Sequence, residues 1–121
     1  MTDRIFLQRM EFMGRHGVSA EERSEPQLIE VDIAMALDLR AAGTSDDLHQ
    51  TVDYGAAFER CRAIVEERSF QLLEAIAEAT AADLLATYSR IASVVVRVSK
   101  PGVPIDGVLE SAGVEVTRER A

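Results

Sequence analysis

A chain of 121 residues, 47% apolar and 28% charged, sits near the commonest domain size and predicts one domain over residues 1–121. Folding at this length buries roughly 65% of the unfolded surface, so neither a disulfide nor a metal is needed to hold a core, and the single cysteine, Cys61, excludes an intramolecular disulfide. A formal charge of −8 with no block of Lys or Arg argues against nucleic acid as a partner; with no leader-like start and no run near ~18 apolar residues, the expectation is a cytoplasmic protein without a membrane partner.

Residues 4–18 have strand character, with Ile5, Phe6, Leu7, Met10, Phe12 and Met13 scattered over both faces. Residues 19–26, charged and ending at Pro26, read as a connecting loop. Over 27–39 the pattern is cleaner. Ile29, Val31, Ile33, Met35, Leu37 and Leu39 alternate with Glu30, Asp32, Ala34, Ala36 and Asp38, the period of a strand with one buried face. The two strands form an antiparallel pair. Ser45 to Asp47 before Leu48 resembles a short helical turn with a Ser cap.

From Tyr54 the period becomes helical: Ala57, Phe58, Cys61, Ile64 and Val65 recur to about Glu67. A second helix over 71–88 carries Leu73, Ile76, Ala77, Ala81, Leu84 and Leu85 on its apolar side. Thr80 lies on that side too, where its hydroxyl can bond back to the preceding turn. Residues 91–100 are a β-branched run stopped by Pro101, Gly102 and Pro104, and 108–118 closes the chain with Val114 and Val116 on one face. The order ββααββ predicts an α+β fold, an antiparallel sheet with two helices on one face. Four strands cannot close a barrel, so two edges remain unpaired; a ring-forming homo-oligomer that joins sheets edge to edge would cover them.

Among thirteen basic residues only Lys100 is lysine. Arg stays protonated in proteins whereas Lys can be tuned to exchange its proton, so a lone lysine at a strand end is a candidate acid/base group. Glu22 beside Glu21 and Arg23 reads by default as part of a solvated loop. Glu74, four residues before Glu78, fits an ordinary exposed helix face, and Tyr54 a packing tyrosine. His16 and His49 are too few for a zinc site, so no metal is expected; His16 reads as structural or as a pocket wall. No GxGxxG, P-loop or GxSxG is present, which leaves a cofactor-free lyase or isomerase, or a binding module.

Met13-Gly14-Arg15-His16-Gly17-Val18 followed by Glu22, Gln27 and Asp32 resembles the opening of the dihydroneopterin aldolase family. Ser45-Asp46-Asp47-Leu48 with Thr51-Val52-Asp53-Tyr54, then Leu72-Leu73-Glu74, then Lys100-Pro101 with Pro104-Ile105, match its other signatures in order. The resemblance implies a tunnelling fold, rings stacked as an octamer, and pterin sites between subunits. It assigns Lys100 as the acid/base group, Glu22 as its orienting partner and Tyr54, from the adjacent chain, as a proton donor or water-orienting group. Glu74 would anchor the pterin ring, with Leu73 and Val52 giving backbone contacts and Asp53 and Val18 lining the site; Glu21 would be a bystander.

The implied reaction splits 7,8-dihydroneopterin into 6-hydroxymethyl-7,8-dihydropterin and glycolaldehyde, in folate biosynthesis, without a cofactor. The pterin C=N bond serves as the electron sink, so neither a Schiff base nor a metal is required. Epimerisation through the same intermediate is an implied side activity. The alternatives are an epimerase or oxygenase acting on dihydroneopterin or its triphosphate, and a ring protein that binds a pterin without catalysis.

Overall fold

The computed structural model describes residues 3–120. Its frame is a four-stranded antiparallel sheet in the order β1 (Arg4–Gly14), β2 (Gln27–Ala36), β3 (Ser93–Lys100), β4 (Ala112–Glu119). Helices α3 (Tyr54–Glu67) and α4 (Leu73–Thr87) pack together on one face, α3 over β1 and α4 over β3 and β4. Short helices α1 (Ala20–Ser24) and α2 (Arg40–Ser45) and a 3-10 turn (Leu48–Gln50) fill the connections.

The alternation in β2 does what its period requires. Ile29, Val31, Ile33 and Met35 are buried beneath the helices, together with Val94, Val96 and Val98 of the neighbouring β3. Burying one such side chain stabilises the fold by roughly 1.5–3 kcal/mol. From α3 come Ala57, Cys61, Ile64 and Val65; from α4 come Ile76, Ala77, Thr80, Ala81 and Leu84. The Thr80 hydroxyl donates to the Ile76 carbonyl at 2.8 Å, so it enters the core satisfied. Burial pushes the Cys61 thiol up to about 12, which leaves it inert at neutral pH.

The scatter of apolar residues in β1 has a local cause. Register jumps from Leu7 opposite Ile33 to Met10 opposite Val31, a β-bulge in which Gln8 and Arg9 share one partner position. Arg9 takes a φ of 48°, and its N–H donates to the Asp32 carboxylate. The extra residue resets the period of two. Ile5 and Leu7 before it, and Met10 and Phe12 after it, all reach the helix side.

Several sequence expectations need correction. The 19–26 connection is not wholly loop: Ser19 caps α1. The turn after residue 45 is capped by Asp47, not by a serine, and follows a helix, α2, whose Gly, Thr and Ser content hid its period. β2 stops at Ala36 and β4 starts at Ala112, each inside its expected range; Leu37 keeps one main-chain bond, to the Asp3 carbonyl at 3.2 Å, before α2 begins at Arg40. As the sequence implied, β1 and β4 each pair on one side only among the described residues. Among the described residues, no helix is long and apolar enough to cross a membrane.

Candidate active site

Lys100 completes a row of valines. Val94, Val96 and Val98 point under the helices, and a period of two puts the last residue of β3 in the same row. Its side chain is therefore buried, 6% exposed, and its ammonium surfaces only at the rim of the core. There Nζ donates to Glu22 Oε2 at 3.0 Å and to the His16 carbonyl at 3.2 Å. An ammonium has three donors; the third has no further protein partner among the described residues.

Glu22 is presented by its own helix. The Ser19 hydroxyl accepts from the Glu22 N–H at 3.2 Å while Glu22 Oε1 accepts from the Ser19 N–H, a reciprocal capping box. One carboxylate oxygen thus stays on the helix start and the other meets Lys100. The hydrogen bond from Lys100, above all, holds the Glu22 carboxyl below its ordinary value, with the Ser19 contact acting the same way. Arg23 ties α1 back to the chain by donating to the carbonyls of Gly17 and Val18 at 2.9 and 2.8 Å. Gln27 donates to the carbonyls of Glu22 and His16 at 2.9 and 3.3 Å. Val18 is itself exposed, and the side chain of Glu21 has no bond to the cluster.

His16 is structural in the sense the sequence suggested, yet its carbonyl belongs to the site. The ring is 1% exposed. Nδ1 accepts from the Phe70 N–H at 3.0 Å, so Nε2 carries the proton and donates to the Val65 carbonyl at 2.8 Å. Burial pushes this imidazole below its ordinary 6.5, and the nearby Lys100 charge pushes the same way. The Gly17 N–H donates to the Phe70 carbonyl at 3.1 Å, doubling the attachment.

That attachment leads directly into α4. Leu73 opens the helix, half-buried, and Glu74 stands exposed in its first turn. A carboxylate is favoured there by the helix dipole, and the leading N–H groups have no partner within the helix. Glu78, one turn on, is instead occupied by Arg118 at 2.8 Å. Lys100, Glu22 and the start of α4 are therefore joined by one hydrogen-bonded segment, residues 16–17 with residue 70.

Tyr54, Asp53 and Val52 lie elsewhere. Val52 is buried, Tyr54 is 64% exposed, and Asp53 caps α3 by accepting from the N–H groups of Gly55 and Ala56 at 2.9 and 3.4 Å. They edge an apolar groove with Ile5, Leu39 and Leu48. This is the N-terminal end of α3, whereas Val65, which holds His16, is near its C-terminal end. At ~1.5 Å per residue the 14-residue helix is roughly 20 Å long. One chain therefore holds its two groups of candidate residues at opposite ends of a helix. The sequence reading missed Ser19 and Arg23; the S-x-x-E spacing of Ser19 and Glu22 was the available signal.

The family model described as dihydroneopterin aldolase matches residues 5–117. A dihydroneopterin aldolase of Methylorubrum extorquens is 41% identical, covering 100% of this chain and 93% of that protein. One of Bacillus subtilis is 38% identical over 98% of this chain and 99% of its own length. The E. coli dihydroneopterin aldolase, solved in complex with neopterin, superposes with a TM-score of 0.89 at 32% identity, covering 97% of this chain and 99% of that one.

Proposed function

The chain belongs to the dihydroneopterin aldolase family, and we propose that it cleaves 7,8-dihydroneopterin at a site shared by two subunits. Lys100, Glu22, Glu74, Leu73 and Val18 come from one chain; Tyr54, Asp53 and Val52 come from its neighbour in a cytoplasmic homo-oligomer, a ring pair of eight. The observation that carries this reading is the buried Lys100 amine held at 3.0 Å from Glu22, linked through His16 to the α4 start that bears Glu74, with Tyr54 a helix length away. The two unpaired sheet edges, on β1 and β4, support assembly edge to edge.

The chemistry asks little of the protein. Glu74 pairs with the pyrimidine edge of the pterin, and the leading N–H groups of α4, at Leu73, meet its acceptors. A base removes the proton from the side-chain hydroxyl one carbon beyond the bond that breaks. That oxygen collapses to the carbonyl of glycolaldehyde, and the electron pair of the cleaved C–C bond flows into the conjugated ring C=N. Reprotonation of the carbon left on the pterin gives 6-hydroxymethyl-7,8-dihydropterin. Lys100, fixed by two acceptors with one donor spare, exchanges these protons, Glu22 orients it and the hydroxyls, and the neighbour's Tyr54 supplies or relays the final proton. The same intermediate can return to the opposite configuration, so epimerisation accompanies cleavage. Neither a metal nor a cofactor takes part.

Incubation with 7,8-dihydroneopterin, with all pterins and glycolaldehyde quantified, tests the activity; no glycolaldehyde from folded protein rejects it. Lys100→Ala is expected to abolish turnover yet retain pterin binding, and Glu74→Ala to weaken binding. Equal mixing of unfolded Lys100→Ala and Tyr54→Phe chains, then refolding, is expected to restore roughly a quarter of the wild-type sites, because a shared site can combine two intact halves. A mixture no more active than its components would rule out sharing.

A further inference from the structure

The Lys100 amine and the start of α4, which bears Glu74, both hang on a single buried residue. The His16 ring holds the main chain at Phe70 through Nδ1 and at Val65 through Nε2, at 3.0 and 2.8 Å. Its own carbonyl accepts from Lys100 Nζ and from Gln27 Nε2, at 3.2 and 3.3 Å. All four bonds converge on one residue, and no buried side-chain nitrogen or oxygen among the described residues is left unpartnered. The packing is shaped around it. The ring stacks on Phe70, centroids 5.8 Å apart and planes 18° apart. A Cβ on Gly14 would stand 2.6 Å from His16 Nε2 and 2.7 Å from the Val65 carbonyl, where the ring bond runs.

We propose that His16 is a positioning residue for the aldol cleavage: its ring fixes residues 70–74 while its carbonyl fixes the Lys100 amine, so that one residue sets the spacing between the proton-transferring group and the pterin-anchoring Glu74. The proposal rests on the functional reading above. It differs from a plain core role in what it couples. A histidine that only filled space would carry stability; this one links a chemical step, through Lys100, to ring binding, through α4. Misplacement by about 1 Å of a group that must meet a reacting atom costs roughly 10²-fold in rate.

The sequence provides an unusually direct probe, because Lys100 is its only lysine. Labelling lysine with 13C at Cε gives one side-chain signal, reporting Lys100 alone. His16→Phe keeps an aromatic ring against Phe70 and loses both nitrogens. It is expected to shift the lysine signal, lower kcat roughly 10- to 100-fold and raise KM for dihydroneopterin several-fold. His16→Gln, whose amide can both accept from Phe70 and donate to Val65, is expected to restore much of both. A folded His16→Phe whose lysine signal superposes on wild type overturns the proposal. So does a Gln variant no better than Phe in kcat at equal thermal stability, which would mean a structural role only.

If His16→Phe does not fold, 15N spectra of the wild type decide, with His49→Gln assigning the second histidine. The Nε2–H neutral ring at pH 7 is expected, and an Nδ1–H or doubly protonated ring overturns the proposal. The functional reading fails separately: folded wild type that releases no glycolaldehyde would remove the reaction, and wild-type turnover in Lys100→Ala would remove the role of Lys100 in it, while the lysine signal would still report whether His16 positions the amine.

Discussion

Gly17 sits where a methyl group cannot go. A Cβ built there falls on Glu22, inside contact with its Cβ, 2.7 Å from its Cδ and 3.0 Å from its Cγ. Ordinary contact begins at 3.4 Å, so Gly17→Ala must push the carboxyl carbon back by at least 3.4 − 2.7 = 0.7 Å, and the chain nearer its root by more. A retreat of about 1 Å stretches the 3.0 Å bond from Lys100 to about 4 Å, beyond hydrogen-bond range. Lys100 then keeps only the His16 carbonyl as partner. The expected result is a kcat lower by roughly 10²-fold, with a folding cost of about 1–3 kcal/mol for the overpacking. Glycolaldehyde release at saturating substrate measures the first and urea unfolding the second. Gly43→Ala is the control: its Cβ would meet nothing within 4 Å, on a short helix far from Glu22 in sequence, and it should be neutral in rate. A folded Gly17→Ala with the kcat of Gly43→Ala would refute the claim that the Glu22–Lys100 contact matters to turnover.

Cys61→Ser should leave specific activity intact while costing about 1–3 kcal/mol, because a hydroxyl replaces a thiol in an apolar site; a large loss of kcat in folded protein would contradict its core role. The native thiol, pushed up to about 12, should resist alkylation at pH 7.5 until the chain is unfolded, as mass spectrometry can read. Stability should also fall with acid in two steps of known sign. The unfolded chain protonates His16 near its ordinary 6.5 while the folded chain resists, so stability is full above 6.5 and declines below it toward the depressed folded value; His16→Gln should flatten that part of a urea-midpoint profile. The contribution of Glu22, present above its ordinary 4.5, is lost only as pH drops through its lowered folded value, and Glu22→Gln should remove that lower step. A wild-type midpoint constant from pH 7 to 5 would count against the neutral, buried histidine.

Much of this architecture was readable because periodicity reports burial. The β2 alternation and the helical spacings in α3 and α4 located their elements within a few residues, and Thr80 behaved as a hydroxyl on an apolar face should. The bulge at Gln8 and Arg9 could not be read. One extra residue flips every side chain after it, and the sequence then looks like apolar residues on both faces. α1 was hidden by its charge, although its capping box was written in Ser19 and Glu22. At the candidate site, the lone lysine and the ordered signatures named Lys100 and Glu22, which the fold brings to 3.0 Å, while the row Val94, Val96, Val98 held an unread signal that Lys100 shares their buried face.

What the amino-acid sequence determined by itself is therefore local and repetitive: which stretches pleat or coil, which face of each is apolar, and, through resemblance, which chemistry the residue set serves. Tertiary structure alone decided who meets whom. Lys100 and Glu22 are 78 positions apart, and their contact exists only because β3 ends where α1 begins to turn. Tyr54 and Val65, by contrast, are near in sequence yet stand toward opposite ends of one rigid rod. Sequence spacing fixes distance along a helix but not between elements; that distance is set by the packing of the whole sheet, which no local pattern encodes.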